Sequence, residues 1–182
     1  MMNCKKILFI CLAVTFFALQ FLPTKSVQAE SFRPLNQFND YYSVATVDGQ
    51  WGANLYQGND QDRVFDRILP RESQWKIYGY TKRSDGYYYW AGANNWIEAD
   101  QVQVPAQDEQ DAILNIVTKY PKYDSSSTYN TYRPIWNPSG GYWGDQPYWT
   151  VVRYEWNELG AVAALQWFVV YADGAAYPVP YI

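Results

Sequence analysis

Histidine is missing from this 182-residue chain, and its only cysteines, Cys4 and Cys11, both fall near the start. Ser–His and Cys–His nucleophilic machinery is therefore excluded beyond residue 11, and so are the usual zinc and copper ligand sets. Positive charge is also scarce, with 14 Lys and Arg against 18 Asp and Glu. Nucleic acids and anionic membranes both demand a basic footprint, so neither is expected as the main partner. A second long hydrophobic run is lacking too. The single apolar stretch, Ile7 to Phe21, is shorter than the roughly 20 residues that span a bilayer.

That stretch follows Lys5 and Lys6 and precedes Val27-Gln28-Ala29, the order of a secretory signal peptide with a small-residue cleavage site. Residues 1–29 are read as that signal. Cleavage after Ala29 takes both cysteines and three lysines, leaving 11 bases against 18 acids, a net charge of −7. The product is expected outside the cell, with no disulfide and no membrane attachment once the signal is gone. The closing residues YPVPYI carry no sorting tail, so the expectation is release or non-covalent retention.

Aromatic rings are abundant instead: 18 Tyr and 9 Trp in the whole chain. Such rings pair a broad apolar face with a polar handle, which suits half-buried sheet positions and binding surfaces alike. Residues 30–40 read as a leader. From Tyr41 short alternating stretches (YYSVATV, ANLYQ, RVFDRIL, WKIYGYTKR, YYYWAG, NNWIEADQV) are separated by turn residues such as DGQWG, PRES and SDG. Strands this short, with turns every eight to twelve residues, mean a sandwich or a small barrel over residues 41–104.

Residues 105–107 read as a linker, and a different pattern follows over 108–182. Asp108 suits an N-cap, Glu109 and Asp111 suit the positive end of a helix, and Ile113, Ile116, Val117 and Tyr120 fall on one helical face. Pro121 ends the helix. The Pro/Gly/Tyr-rich stretch from 121 to 147 is either partly stranded or functional. PYWTVVRYEW, VAALQWFVVYA and AAYPVPYI then read as three strands, the second central and the third confined to an edge by its prolines. The expected fold class is mainly β: a small barrel, then an α+β unit with one helix packed on an antiparallel sheet.

Carboxylates are the only general acid–base groups left. Glu98 with Asp100, or Glu155 with Glu158, could flank a glycosidic bond, but both pairs fall at strand ends, where solvated acids are normal. A non-enzymatic protein without a cofactor is expected. Asn59, Asp60, Asp62 and Asp66 bring oxygen ligands together, with Asp60 and Asp62 the candidates for a weak calcium site, yet lack the glycine and terminal glutamate of an EF-hand loop. Flat rings beside amides are the better binding candidates: Trp90 and Tyr88 with Asn94 and Asn95, and Trp136 with Trp143. On a returning strand after the Asp85-Gly86 turn, Tyr87 and Tyr89 share one face, and Tyr88 and Trp90 the other. Tyr89 and Trp96 are expected in the core, and Trp90 outside.

Residues 44–102 resemble the surface-layer-protein-type (SLAP) wall-binding domain of lactobacilli. The resemblance rests on Trp75-Lys76-Ile77-Tyr78, Gly86-Tyr87-Tyr88-Tyr89 and Asn95-Trp96-Ile97-Glu98-Ala99. It implies an SH3-like β-barrel that holds the protein non-covalently to a Gram-positive wall, with teichoic acid or another wall glycan as ligand. Members of that family are lysine-rich and this stretch is not, so a polyanion site would be confined to Lys76, Lys82 and Arg83 around the SDG hairpin. The C-terminal part is similar in pattern to PepSY and cystatin-like modules, which implies only its fold. The alternative is a released binder or inhibitor of a soluble protein or glycan, acting through residues 108–182.

Overall fold

A computed structural model describes residues 38–58, 63–121, 130–156 and 162–180. The signal segment 1–29 and most of the leader lie outside them.

The chain is mainly β, with eleven strands and one α-helix among the described residues. Strands β1 (Asn39–Val47), β2 (Ala53–Gln57), β3 (Val64–Leu69), β4 (Gln74–Arg83), β5 (Gly86–Trp90), β6 (Asn95–Glu98) and β7 (Val102–Gln103) form the first sheet. Its order is β3-β2-β6-β5-β4-β1-β7, and every pairing is antiparallel. β3 and β7 remain edges, so the sheet does not close into a barrel. Two turns close hairpins here, the first of them expected from sequence. Asp85-Gly86 joins β4 to β5, with Gly86 at φ +148°, a value L side chains rarely adopt. The second is the Gly92-Ala93 turn before β6, with φ of 91° and 48°.

Helix α1 (Glu109–Lys119) starts where the residues direct it. Asp108 Oδ1 accepts a hydrogen bond from the Asp111 amide at 2.9 Å, and Glu109 and Asp111 sit in the first turn. Tyr120 leaves the helical region at φ −129°, ψ 68°, as a residue before proline must. The helix is not amphipathic in its setting, however. Ala112 through Thr118 are all buried, because α1 lies between two sheets and meets apolar groups on both sides.

The second sheet contains β8 (Asn130–Asn137), β9 (Tyr148–Trp156), β10 (Val162–Tyr171) and β11 (Ala176–Val179), in the antiparallel order β11-β10-β9-β8. β8 resolves part of the ambiguous stretch before residue 147 as strand. β10 is central and β11, carrying Pro178, is an edge, as their compositions dictate.

One hydrophobic core runs without a break from Leu55, Tyr89 and Ile97 of the first sheet, through Ile113, Ile116 and Val117 of α1, to Val151, Phe168 and Val170 of the second. Ala106 of the expected linker belongs to it, as does Val104 just before. Val104 and Ala106 are 1% and 4% exposed, the Ala106 amide donates to the Ala172 carbonyl at 3.0 Å, and Asn115 Nδ2 donates to the Val104 carbonyl at 2.7 Å. Gly174, at φ +94°, lies so close that a Cβ there would come within 1.9 Å of the Val104 oxygen.

Candidate functional site

The first sheet has one face on this core and another that carries no helix among the described residues. β5 divides its rings between them as alternation requires. Tyr87 and Tyr89 belong to the core cluster, and Tyr88 and Trp90 face outward. Yet Tyr88 is only 2% exposed, because its outer side is roofed. The Arg63 guanidinium stands 4.8 Å from its ring centroid and 5.2 Å from that of Tyr56, a cation–π arrangement. Arg63 pairs with Asp85, and the Tyr88 hydroxyl donates to the same carboxylate at 3.1 Å. Partial burial opposes ionisation of Asp85, but the bonds from Arg63 and Tyr88 prevail and hold its carboxyl below the usual range. Burial pushes the Tyr88 phenol well up, against the nearby Arg63 charge.

From Tyr88 the rings continue across the sheet. Tyr56 on β2 lies 5.9 Å from Tyr88 and 6.1 Å from Phe65 on β3. Trp96 on β6 is in register with both Tyr56 and Trp90, 6.5 Å from the latter. Tyr78 on β4 is 5.6 Å from Trp90 and 6.2 Å from Tyr42 on β1. A bulge produces this last contact: Tyr41 and Tyr42 together oppose Tyr78 between the Asp40–Gly79 and Ser43–Ile77 pairs. Tyr41 turns inward onto Tyr89, and Tyr42 stays 75% exposed. Phe38 covers Gly79 and packs edge-on against Trp90 and Trp96 at 5.6 and 6.3 Å. The row crosses six neighbouring strands, roughly 24 Å at the usual inter-strand spacing.

Amides edge the row. Trp90 Nε1 donates to the Ala93 carbonyl at 2.8 Å, fixing the indole to the turn that presents Asn94 and Asn95. Asn95 Oδ1 accepts from Gln57 Nε2 at 2.7 Å, and Asn94 is exposed. Glu98 Oε2 accepts from Asn54 Nδ2 at 2.7 Å and from Gln101 Nε2 at 3.1 Å. A carboxylate tethered by two amides has a structural role in keeping β2 and β6 aligned.

The structure thus brings Trp90, Asn94 and Asn95 together on the outer face. It places Tyr88 under Arg63, where no ligand can stack on it. Trp96 is buried at 7%, but against Phe38 and Trp90 on the outer face rather than in the core cluster. Lys76, Lys82 and Arg83 do not form one patch: the first two are six positions apart along β4, about 20 Å. Lys76 is exposed opposite Val44, whereas Lys82 Nζ stands 5.8 Å from the Tyr87 centroid at the hairpin end. Trp136 packs on Trp149 of the core cluster, and Trp143 on the opposite face of the second sheet with Tyr148 and Tyr171, so these two never meet. Asn59, Asp60, Asp62 and Glu158 lie outside the described residues, among which no group of three metal-ligating side chains occurs. Sequence reasoning missed Tyr56, Phe65, Phe38, Tyr42 and Tyr78 as site residues. The first two were signalled by their alternation in ANLYQ and RVFDRIL.

No protein-family model, curated protein or solved structure matches the chain significantly. No helix among the described residues is long and apolar enough to cross a membrane.

Proposed function

We propose that this is a secreted, non-enzymatic protein associated with the surface of a Gram-positive bacterium, retained non-covalently through its first sheet by a wall polymer. In this reading the sheet is an open variant of the SH3-like, SLAP-type module. The observation that carries the reading is the aromatic row on the outer face of this sheet, with Asn94, Asn95 and Gln57 along its edge. Exposed apolar area of this extent is costly in water and marks interaction sites on soluble proteins. Rings supply dispersion against sugar faces, and amides supply both donors and acceptors. The test is sedimentation of the chain lacking residues 1–29 with isolated walls. Retention by walls, weakened about tenfold in Trp90→Ala, is expected; no retention above that of a control protein rejects the reading.

A second reading, a released binder of a soluble protein or glycan, is favoured by one feature. A groove of about 430 Å³ runs between the loop after β8 and the β10–β11 hairpin, lined by Asp145, Tyr171, Asp173 and Tyr177. Deleting the first sheet cannot test it, because α1 would lose half its cover. Tyr177→Ala, at a site 55% exposed, is the suitable probe: loss of binding to a soluble target with wall retention intact would support this second reading.

A further inference from the structure

Resting on the wall-binding reading, we infer that the outer face of the first sheet takes an uncharged polysaccharide chain, not a polyanionic wall polymer. The argument is a census of charge. Arg63 is committed to Asp85 and to the Tyr56 and Tyr88 rings. Arg67 is paired with Asp66 at 2.9 Å, and Arg71 lies 4.0 Å from Glu72. Lys82 stands over Tyr87, and Arg83 is likewise engaged. Among the described residues of this sheet, Lys76 alone is a cation without such a partner. The Arg63–Asp85 and Arg67–Asp66 pairs are close to neutral as they stand. A polyanion approaching the row would therefore meet the Glu98 carboxylate, held only by neutral amides, with one unpaired ammonium to attract it. Like charges brought together at an interface exclude a partner rather than hold it.

What the face offers freely is uncharged. Tyr42, Phe65 and Phe38 are 75%, 52% and 45% exposed, Trp90 and Tyr78 are half-buried among them, and exposed Asn94 and Gln57 add amide groups. Ring faces contact the apolar C–H surfaces of pyranose rings, and amides bond hydroxyl and acetamido groups. The accessible rings Tyr42, Tyr78 and Trp90 lie on three neighbouring strands and span roughly 10 Å, with Phe65 farther out beyond the roofed Tyr88. More than one sugar is contacted, so the occupant is a chain rather than a single sugar.

The experiment compares three probes at low and tenfold higher salt: whole walls, walls stripped of teichoic acid with their glycan retained, and isolated teichoic acid. Stripped walls should retain the protein at least as well as whole walls, isolated teichoic acid should not bind, and affinity should change by less than about twofold with salt. A polyanion held through three cations would instead weaken about 100-fold across that range. Tyr42→Ala, at a site too exposed to matter for folding, should cost about tenfold in affinity, equivalent to ~1.4 kcal/mol, and Lys76→Gln nearly nothing. If stripping abolishes retention and salt or Lys76→Gln weakens it steeply, the ligand is a polyanion: this inference falls and the wall-binding reading stands. If whole walls also fail to retain the protein, both fall.

Discussion

Tyr89 and Trp90 are neighbours in sequence and lie on opposite faces of one sheet. Tyr89 is 1% exposed, stacked on Tyr41 and enclosed by a core that reaches α1 and the second sheet. Trp90 is half-buried, held by Phe38, Tyr78 and Trp96, with its indole nitrogen tied to a turn. Burial against other elements fixes the inner rings; contact with one another and with amides fixes the outer ones. Inner rings are therefore a stability device for the whole chain. Outer rings other than Tyr88 and Trp96 keep one side toward solvent, which a binding role needs and a folding role does not.

Breaking the inner side should have the largest effect. Tyr89→Ala is expected to cost about 3–5 kcal/mol, the range for large buried aromatics, read from urea unfolding. Because the core is continuous, hydrogen exchange in β9 and β10 should quicken along with that in β4 and β5. Unchanged exchange in the second sheet would show that the two sheets fold independently, against the shared core.

The next test uses protonation. Burial, chiefly, pushes the phenols of Tyr41 and Tyr89 well above their ordinary value, and the neighbouring Tyr89 adds to the rise at Tyr41. A neutral group whose pKa is raised by folding contributes stability that is complete below the unfolded value, about 10, and is lost as pH rises beyond it. Alkaline unfolding should therefore coincide with a cooperative rise in tyrosinate absorbance, and Tyr89→Phe should move its midpoint upward. Smooth titration without loss of structure would mean that the inner rings are open to water.

On the outer side the expected cost is smaller. A Cβ at Gly79 would lie 2.3 Å from the Phe38 ring and 2.7 Å from the Asn39 carbonyl oxygen. Gly79→Ala should therefore displace Phe38 and cost about 1–3 kcal/mol, as overpacking does, seen as a lower melting temperature. In the double variant with Phe38→Ala the penalties should be less than additive, since the ring that clashes is gone. Full additivity would place Phe38 elsewhere in solution.

Much of the fold was legible because local rules and tertiary packing agree here. ANLYQ is β2 residue for residue, Asp108 and Pro121 bracket α1, and Asp85-Gly86 sits at a hairpin turn. What escaped depends on partners distant in sequence. Alternation assigned Tyr88 to the outer face correctly, but only Arg63, twenty-five residues earlier, determines that it is buried there. Helical periodicity marked one apolar face on α1, and the second sheet supplied the cover for the rest. Strand lengths favoured a barrel, whereas closure depends on whether β3 reaches β7, which no local pattern encodes. The aromatic row was only half visible because Tyr56, Phe65 and Phe38 come from separate segments that look ordinary alone.

The smallest effect expected is at Asp85, and it separates the two explanations for the burial of Tyr88. The Arg63–Asp85 pair is partly in solvent, with the two side chains 22% and 45% exposed, so its contribution is below about 1 kcal/mol. Since folding lowers the Asp85 pKa, that stabilisation is present above about pH 4, the unfolded value, and fades as pH falls through the lowered folded one. Asp85→Asn should therefore melt slightly below the parent at neutral pH, and the two should converge in acid. If the difference persists in acid, the turn geometry at Asp85 is responsible rather than its charge. If no difference exists at any pH, Arg63 is held over Tyr88 by the two rings alone, and the aromatic row organises its own roof.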